Sequence, residues 1–553
     1  MTGVFWCASG TSPFHAITCD GRLFRRDAGD SRRSPSPCGA CRPPVRERPL
    51  RRRDAKRRAR RPASDRVPQT PWRRLVNPYP PLAILSADHL ESIHHTSLRV
   101  LEELGIEFLL DEALEHLKAA GAEVTGQCVR FDRALVMELV SRAPAEFTIH
   151  PRNPERAVTF GGNHIAFNSV GGPANASDLD GGRRQGNFAD FRNYIRLMQS
   201  LDVLHLCGGV PIAPIDLDAE TRHLDCIQAI LTLSDKVWHA TGLGRRRVSD
   251  AVDMLAIVRG VTREEVRRKP GFFTTINVNS PRRIDGPMLE GLIEAATNGQ
   301  AVSLTPFTLA GAMSPTTLPG SLVQQNAEAL AGIAFTQAVA PGAPVFYGSF
   351  TSNVDMRTGA PAFGTPEYTR ATLASGQLAR YYKLPYRSSN TNASNTVDAQ
   401  AAYESQMSIW GAVLGHANLL HHGAGWLEGG LTASFEKAVL DAEMLQMIGE
   451  FLQPLVVDDE TLAFDAIAEV QPGGHYFGAR HTLRHYDTAF YQPMLSDWRN
   501  FETWHEDGAR DATCRANRIW KELLRRFEPP PLDPARAEEL EAFVRRRKEE
   551  EPP

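Results

Sequence analysis

LPYRSSNTNASNTVDAQAAYE, Leu384–Glu404, opens as a short strand, passes into a run of Ser, Asn and Thr, and continues as a helix. That order recurs. Short β-rich runs followed by a helical pattern occur eight times, as NHIAFNSV, LHLCGGVP, KVWHAT, FFTTINVN, AVSLTPFTL, PVFYGSF, PYRSSN and ANLLHHG. A spacing of about 28 to 43 residues suits one strand, one loop and one crossover helix. The helices show apolar stripes: Phe188, Phe191, Ile195, Met198 and Leu201 share one face, as do Phe435, Val439, Leu440, Met444 and Ile448. Eight such units predict an α/β chain folded as a (β/α)8 TIM barrel, with the residues after each strand gathered on one face. An open doubly wound sheet has the same order, but no glycine-rich dinucleotide loop follows a strand. The small polar residues after the seventh strand then have two readings. They satisfy turn backbone and cap a helix, or they line a site.

The 553 residues are 42% hydrophobic and 23% charged, an ordinary globular composition. No run of 18 apolar residues predicts a membrane span. The net charge of -3 conceals an asymmetry, because residues 1–74 hold 19 Lys and Arg against 6 Asp and Glu. A basic tail precedes an acidic body. Residues 1–73, rich in Arg, Pro and Ser, are expected to be disordered. Few aromatics interleave with their basic residues, which disfavours a nucleic-acid arm. Asp20, Asp27 and Asp30 count against a transit peptide, and the first forty or so residues also fit upstream sequence included by a wrong start codon. Cys38 and Cys41 have metal-ligand spacing, but Cys7 and Cys19 are too irregularly placed to complete a zinc module. Cys128, Cys207, Cys226 and Cys514 are isolated. Sparse cysteine without a secretory signal predicts a cytoplasmic compartment.

Residues 74–159 read as a helical lead-in. There Leu90, Ile93, Val100, Leu101 and Leu104 share one helical face between a Ser86 cap and a Gly105 stop, and a second helix is expected near residues 131–144. Residues 160–455 form the barrel. Residues 456–553 make a mostly helical C-terminal extension, whose charged run ARAEELEAFVRRRKEEEPP reads as a solvated face.

The strand ends are dominated by Gly, Asn, Ser, Thr and aromatic residues. Without His-x-His on the first strand or a tight Cys and His set, a metal hydrolase is disfavoured. A glycosidase needs two opposed carboxylates, and Asp178, Asp355 and Glu428 all fall in loops beyond the strands. His475, His481 and His485 are too loosely spaced for a metal and are expected to be structural. Such a mouth suits a substrate whose chemistry is supplied from elsewhere.

The runs TPFTLAGAMSPTTLPGSLVQQNAEALAGIAFTQAVAPGAPVFYGSFTSNVDMRTGAPAFGTPE, VDAQAAYESQMSIWGAVLGHANLLHHGAGWLEGGLTASFEKAVLDAEM and GGHYFGARHTLRHY resemble the trimethylamine:corrinoid methyltransferase family over about residues 74–525. The resemblance implies a TIM barrel that passes a methyl group from a methylated amine to the cobalt of a corrinoid. It also implies that the corrinoid is carried by a separate small protein, with no cofactor bound tightly by this chain. The name-giving branch carries pyrrolysine near the end of the seventh strand, a position that falls within Ser389–Thr396, where this chain has only ordinary residues. That departure points to a quaternary amine such as glycine betaine. For a quaternary cation the candidate aromatic faces are Trp238, Phe307, Tyr347, Phe350 and Trp426, with Glu428 adding charge complementarity. For a carboxylate on the substrate the candidate donors are His239, Asn392, Asn395 and His422. His421 and His422 are not expected both to face inward, since strand neighbours alternate. No residue is assigned a catalytic role and none a metal. The expected partners are the amine, the corrinoid protein and further copies of the chain, with neither membrane nor nucleic acid among them. The rival reading is a non-catalytic barrel that binds a betaine-like ligand.

Overall fold

The computed structural model describes residues 67–550, so the basic tail with Cys38 and Cys41 lies outside the described residues. Parallel strands occupy all eight expected places: β1 (His164–Phe167), β2 (Leu206–Cys207), β3 (Val237–Ala240), β4 (Phe272–Val278), β5 (Ala301–Ala310), β6 (Val345–Gly348), β7 (Tyr386–Ser389) and β8 (Leu419–His421). A helix follows each, namely α1 (Phe188–Ser200), α2 (Arg222–Leu233), α3 (Arg245–Arg259), α4 (Gly286–Thr297), α5 (Leu318–Val339), α6 (Pro366–Tyr381), α7 (Ala399–Leu414) and α8 (Phe435–Phe451). From β2 to β8 each strand pairs in parallel with the next, and β8 pairs with β1. β1 meets β2 through a parallel Asn168–Leu206 bridge and a 2.9 Å bond from the His205 amide to the Phe167 carbonyl. The row of strands returns to its start. The fold is α/β, with mixed sheets and helices packed around them.

Register decides which side chains meet. Ser303 pairs with Thr275 and Phe346, while Leu304 pairs with Ile276 and Tyr347, so these two sets take opposite faces. On the inner face Ala166, Leu206, Val237, Phe273, Ala301, Phe346 and Leu419 form their own apolar cluster with Ile149, Val158 and Phe160. The last three belong to an antiparallel hairpin, Glu146–Ile149 with Val158–Gly161. Phe160 meets Phe346 edge-on at 4.9 Å, and the hairpin stoppers the N-terminal end of the strands.

Three expectations need correcting. The lead-in is not purely helical: Ile106–Phe108, Glu123–Thr125 and Cys128–Arg130 join Arg283–Ile284 in a four-stranded sheet. Strands of two or three residues are too short to show a period. The first helix, Ala87–Arg99, is capped by Ser86, but Val100–Leu104 continues it as a π turn in which the Gly105 amide bonds the Val100 carbonyl. The i→i+5 repeat departs from the 3.6-residue period, and Leu104 is 55% exposed while Ile93, Leu98 and Leu101 are buried. The terminal helix Pro534–Glu549 is no free solvated face either. It buries Leu540, Phe543 and Val544, and Arg547 reaches the buried Asp250 at 2.8 Å.

Among the described residues no helix is long and apolar enough to cross a membrane. His205 locks the β1–β2 join: its Nδ1 accepts from the Phe167 amide at 3.1 Å, and its Nε2 lies 2.9 Å from the Arg73 carbonyl. Burial pushes its pKa down to about 4. Below pH 6.5 the unfolded chain binds a proton that the folded chain refuses until about pH 4, so stability falls as pH falls through that window. At pH 5 this one ring costs about 2 kcal/mol. A urea midpoint lower at pH 5 than at pH 7.5, with part of the difference removed in His205→Gln, is the expected result.

Candidate active site

At the C-terminal ends of the strands two layers of inward-facing residues lie above the apolar cluster. The lower layer is polar. His421 Nδ1 sits 2.6 Å from Asn168 Nδ2, and its ring meets the His239 ring at 5.3 Å. His239 in turn stacks on Phe273 at 4.7 Å. Arg387 is 2% exposed, and its partner in register on β6 is Gly348.

The upper layer is aromatic. β5 runs past the ring of strands and pairs with Phe350–Val354, which stacks Phe307 on Phe350 at 5.1 Å. Phe350 also meets Phe363 at 5.6 Å, Trp426 at 6.0 Å and His422 at 6.1 Å. His422 lies 4.5 Å from Trp426, and its Nδ1 is 3.1 Å from Ser389 Oγ.

Both histidines of the pair therefore turn inward, contrary to the alternation rule. β8 ends at His421, and His422 takes φ 55°, outside extended geometry, so its ring swings back to 3.9 Å from that of His421. Alternation binds only residues that remain extended.

The polar run after β7 turns out to be scaffold. The Glu404 carboxylate accepts the Ala393 and Ser394 amides at 2.8 and 3.0 Å, and Asp398 caps α7. Asn392 Nδ2 donates to the Trp426 carbonyl at 2.8 Å, while Trp426 Nε1 donates to the Asn392 carbonyl at 3.0 Å. Behind Trp426 the Gly425 amide donates to Asp441 at 2.8 Å, and Asp441 is ion-paired with Lys437 at zero exposure. Gly430, at φ 99°, sits where an added Cβ would fall 2.6 Å from the Trp426 ring, so a larger residue would displace the indole.

Of the ten sequence-derived candidates, Phe307, Phe350, His422 and Trp426 come together, with His239 in the layer below. Trp238 and Tyr347 do not join them. Trp238 packs on Phe272 in the outer core at 5.0 Å, and Tyr347 donates outward to Asn326 on α5. Each is one position out of phase with the inner face. Asn392 braces Trp426, Asn395 is solvent-exposed, and Glu428 is held by Arg183 at 2.9 Å on the rim. Asn168, Phe363 and Arg387 join the site from outside the candidates, and His421, which alternation set against His422, faces inward too. A charged residue inside a short buried strand was the readable signal for Arg387; Phe363 lies on a loop that folds back over the mouth and offered none.

The electrostatics are one-sided. Burial, aided by the Arg387 charge, lowers His239 to about 3 and holds His421 and His422 well below the ordinary histidine value. All three rings are neutral at pH 7, and burial leaves Arg387 at about 10, still charged. Cys207 is raised to about 12 by burial and is no nucleophile. Away from the mouth, His481, His485 and Glu460 have ligand atoms within 4.8 Å of one another, but Arg484 shares the same carboxylate at 3.1 Å.

Residues 51–552 match the family described as trimethylamine methyltransferase (MTTB). The chain belongs to that family. Within the trimethylamine methyltransferase family, the glycine betaine methyltransferase of Desulfitobacterium hafniense strain Y51 is 38% identical over 85% of this chain and 98% of its own. The trimethylamine methyltransferase MttB of Desulfitobacterium hafniense strain DSM 10664 / DCB-2 is 31% identical over 85% and 95%. The solved monomethylamine methyltransferase of Methanosarcina barkeri shares 9% identity over 81% of this chain and 88% of its own, with a TM-score of 0.48.

Proposed function

We propose that the eight strands form a closed (β/α)8 barrel whose mouth binds a quaternary methylated amine, with glycine betaine as the type, and passes one methyl group to a corrinoid held by a separate protein. The observation that carries this reading is the absence of a ready proton donor or nucleophile in the mouth: three neutral imidazoles, amides, hydroxyls, aromatic faces and one guanidinium. When bound, the corrinoid supplies reduced cobalt, whose electron pair takes the methyl carbon. The C–N bonding pair stays on nitrogen and leaves a neutral tertiary amine, so no proton has to be delivered. Trimethylamine offers no such leaving group without activation, and nothing in this mouth provides it. The chain's own work is to hold the ammonium against Phe350, Trp426 and their neighbours and to exclude water from it.

The comparison at 38% identity with a glycine betaine methyltransferase supports the same substrate. Sparse cysteine along the chain suits a reducing cytoplasm. Between residues 455 and 501 Phe464, Phe477, Phe490, Trp498 and Phe501 are largely exposed; so much lasting apolar surface fits a permanent second copy better than a transient carrier.

The test is methyl transfer from glycine betaine, and separately from trimethylamine, to reduced cobalamin or the cognate corrinoid protein, followed by the absorbance change of cobalt. Turnover with the quaternary amine alone is the expected outcome. Turnover with trimethylamine alone would sink the reading.

A further inference from the structure

Arg387 is, among the described residues, the one Asp, Glu, Lys or Arg within the eight strands. Among the other buried cations Lys236 gives its ammonium to the Met198 and Leu201 carbonyls, each at 2.7 Å, and Lys437 has an acid beside it, Asp441. Arg387 has none. Its Nη1 donates to the Ser349 carbonyl at a long 3.3 Å, its Nε has no partner, and its guanidinium carbon lies 5.7 Å from the centre of the Phe350 ring. Around it on the inner face Asn168 Oδ1, His239 Nε2 and Thr275 Oγ1 are also buried without partners. A buried charge with unmet donors is strongly unfavourable unless something pairs with it. Burial leaves it charged at neutral pH.

We infer that Arg387 is the anchor of an anion site at the floor of the mouth, taking the carboxylate of a short zwitterionic amine whose quaternary head lies against Phe350 and Trp426. This rests on the function proposed above and adds its charge partner. Guanidinium and carboxylate form paired, charge-assisted hydrogen bonds. Phe350 borders both halves of the site, with the guanidinium and the Trp426 ring 5.7 and 6.0 Å from its own centre. A cation without a carboxylate also meets Arg387 as a like charge, so the site selects against choline as well as for a betaine.

Titration calorimetry on the full chain tests this with glycine betaine, tetramethylammonium and acetate against wild type, Arg387→Lys and Arg387→Met. Wild type is expected to bind glycine betaine about 10- to 100-fold more tightly than tetramethylammonium. Arg387→Met should erase that preference and the competition by acetate while leaving tetramethylammonium within about 3-fold; Arg387→Lys should keep part of both. Equal loss of the two cations in Arg387→Met, or a wild type with no preference, overturns the assignment. Should Arg387→Met fail to fold, the preference of wild type against that of Arg387→Lys decides. Acetate binding that depends on Arg387 in a chain that transfers no methyl group keeps the anion site and sinks the proposed function, so the two failures are told apart.

Discussion

Asp441→Ala is expected to destabilise the folded chain by about 3–5 kcal/mol, because it leaves the Lys437 ammonium buried without its ion-pair partner. Both side chains are fully buried. Burial pushes Lys437 down and Asp441 up, and their mutual attraction opposes both shifts. The same substitution removes the acceptor of the Gly425 amide, so the segment that carries Trp426 loosens with the core behind it. Urea unfolding followed by tryptophan fluorescence measures the loss. A double replacement, Lys437→Met with Asp441→Leu, should recover most of the stability, since apolar residues of similar volume replace a buried ion pair at little cost. It should not recover the hold on Gly425. An Asp441→Ala chain as stable as wild type would show that the pair holds nothing.

Trp426→Ala is expected to lower methyl transfer from a quaternary amine by at least about 30-fold, the equivalent of a desolvated cation–π contact of about 2 kcal/mol. The indole joins Phe350, Phe363 and His422, so its removal also opens the wall that keeps water from the ammonium. Trp426→Phe should retain most of the rate, because it keeps an aromatic face. Tetramethylammonium affinity should fall in parallel with the rate in Trp426→Ala. A fall in rate with that affinity unchanged would move the indole from substrate binding to support of the corrinoid protein.

The strands were readable because β-rich runs such as FFTTINVN and AVSLTPFTL are bounded by turns and separated by apolar stripes such as Phe188, Phe191 and Ile195. What composition and spacing could not supply was phase. Tyr347 and Phe350 look alike as aromatics at a strand end, yet Tyr347 belongs to the outer face and Phe350 to the inner. Position within the register decides between them, and register is set by pairings between strands far apart in sequence. His422 lies in the site as expected, but the expectation that His421 would then face away did not hold, since one residue of left-handed backbone undid a rule that holds only along a strand. The polar run after β7 invited assignment to the ligand, but the Ala393 amide and the Thr391 carbonyl bond Glu404 and Ser408 of α7, and the Asn392 side-chain amide donates to the Trp426 carbonyl. Arg387 was passed over among small neighbours although its charge was the least expected feature of its strand.

The hairpin that stoppers the foot of the strands leaves the candidate site to open at their other, C-terminal end. In the methyl transfer proposed above, substrate, product and the carrier's cobalt all use that end. On the proposed reading the amine has to be inside before the carrier settles over the opening, and the demethylated amine has to wait until the carrier lifts. The order of events in each turnover is thus written into the plumbing: a queue at a single gate, in which excess carrier would hold product in as effectively as it delivers the acceptor.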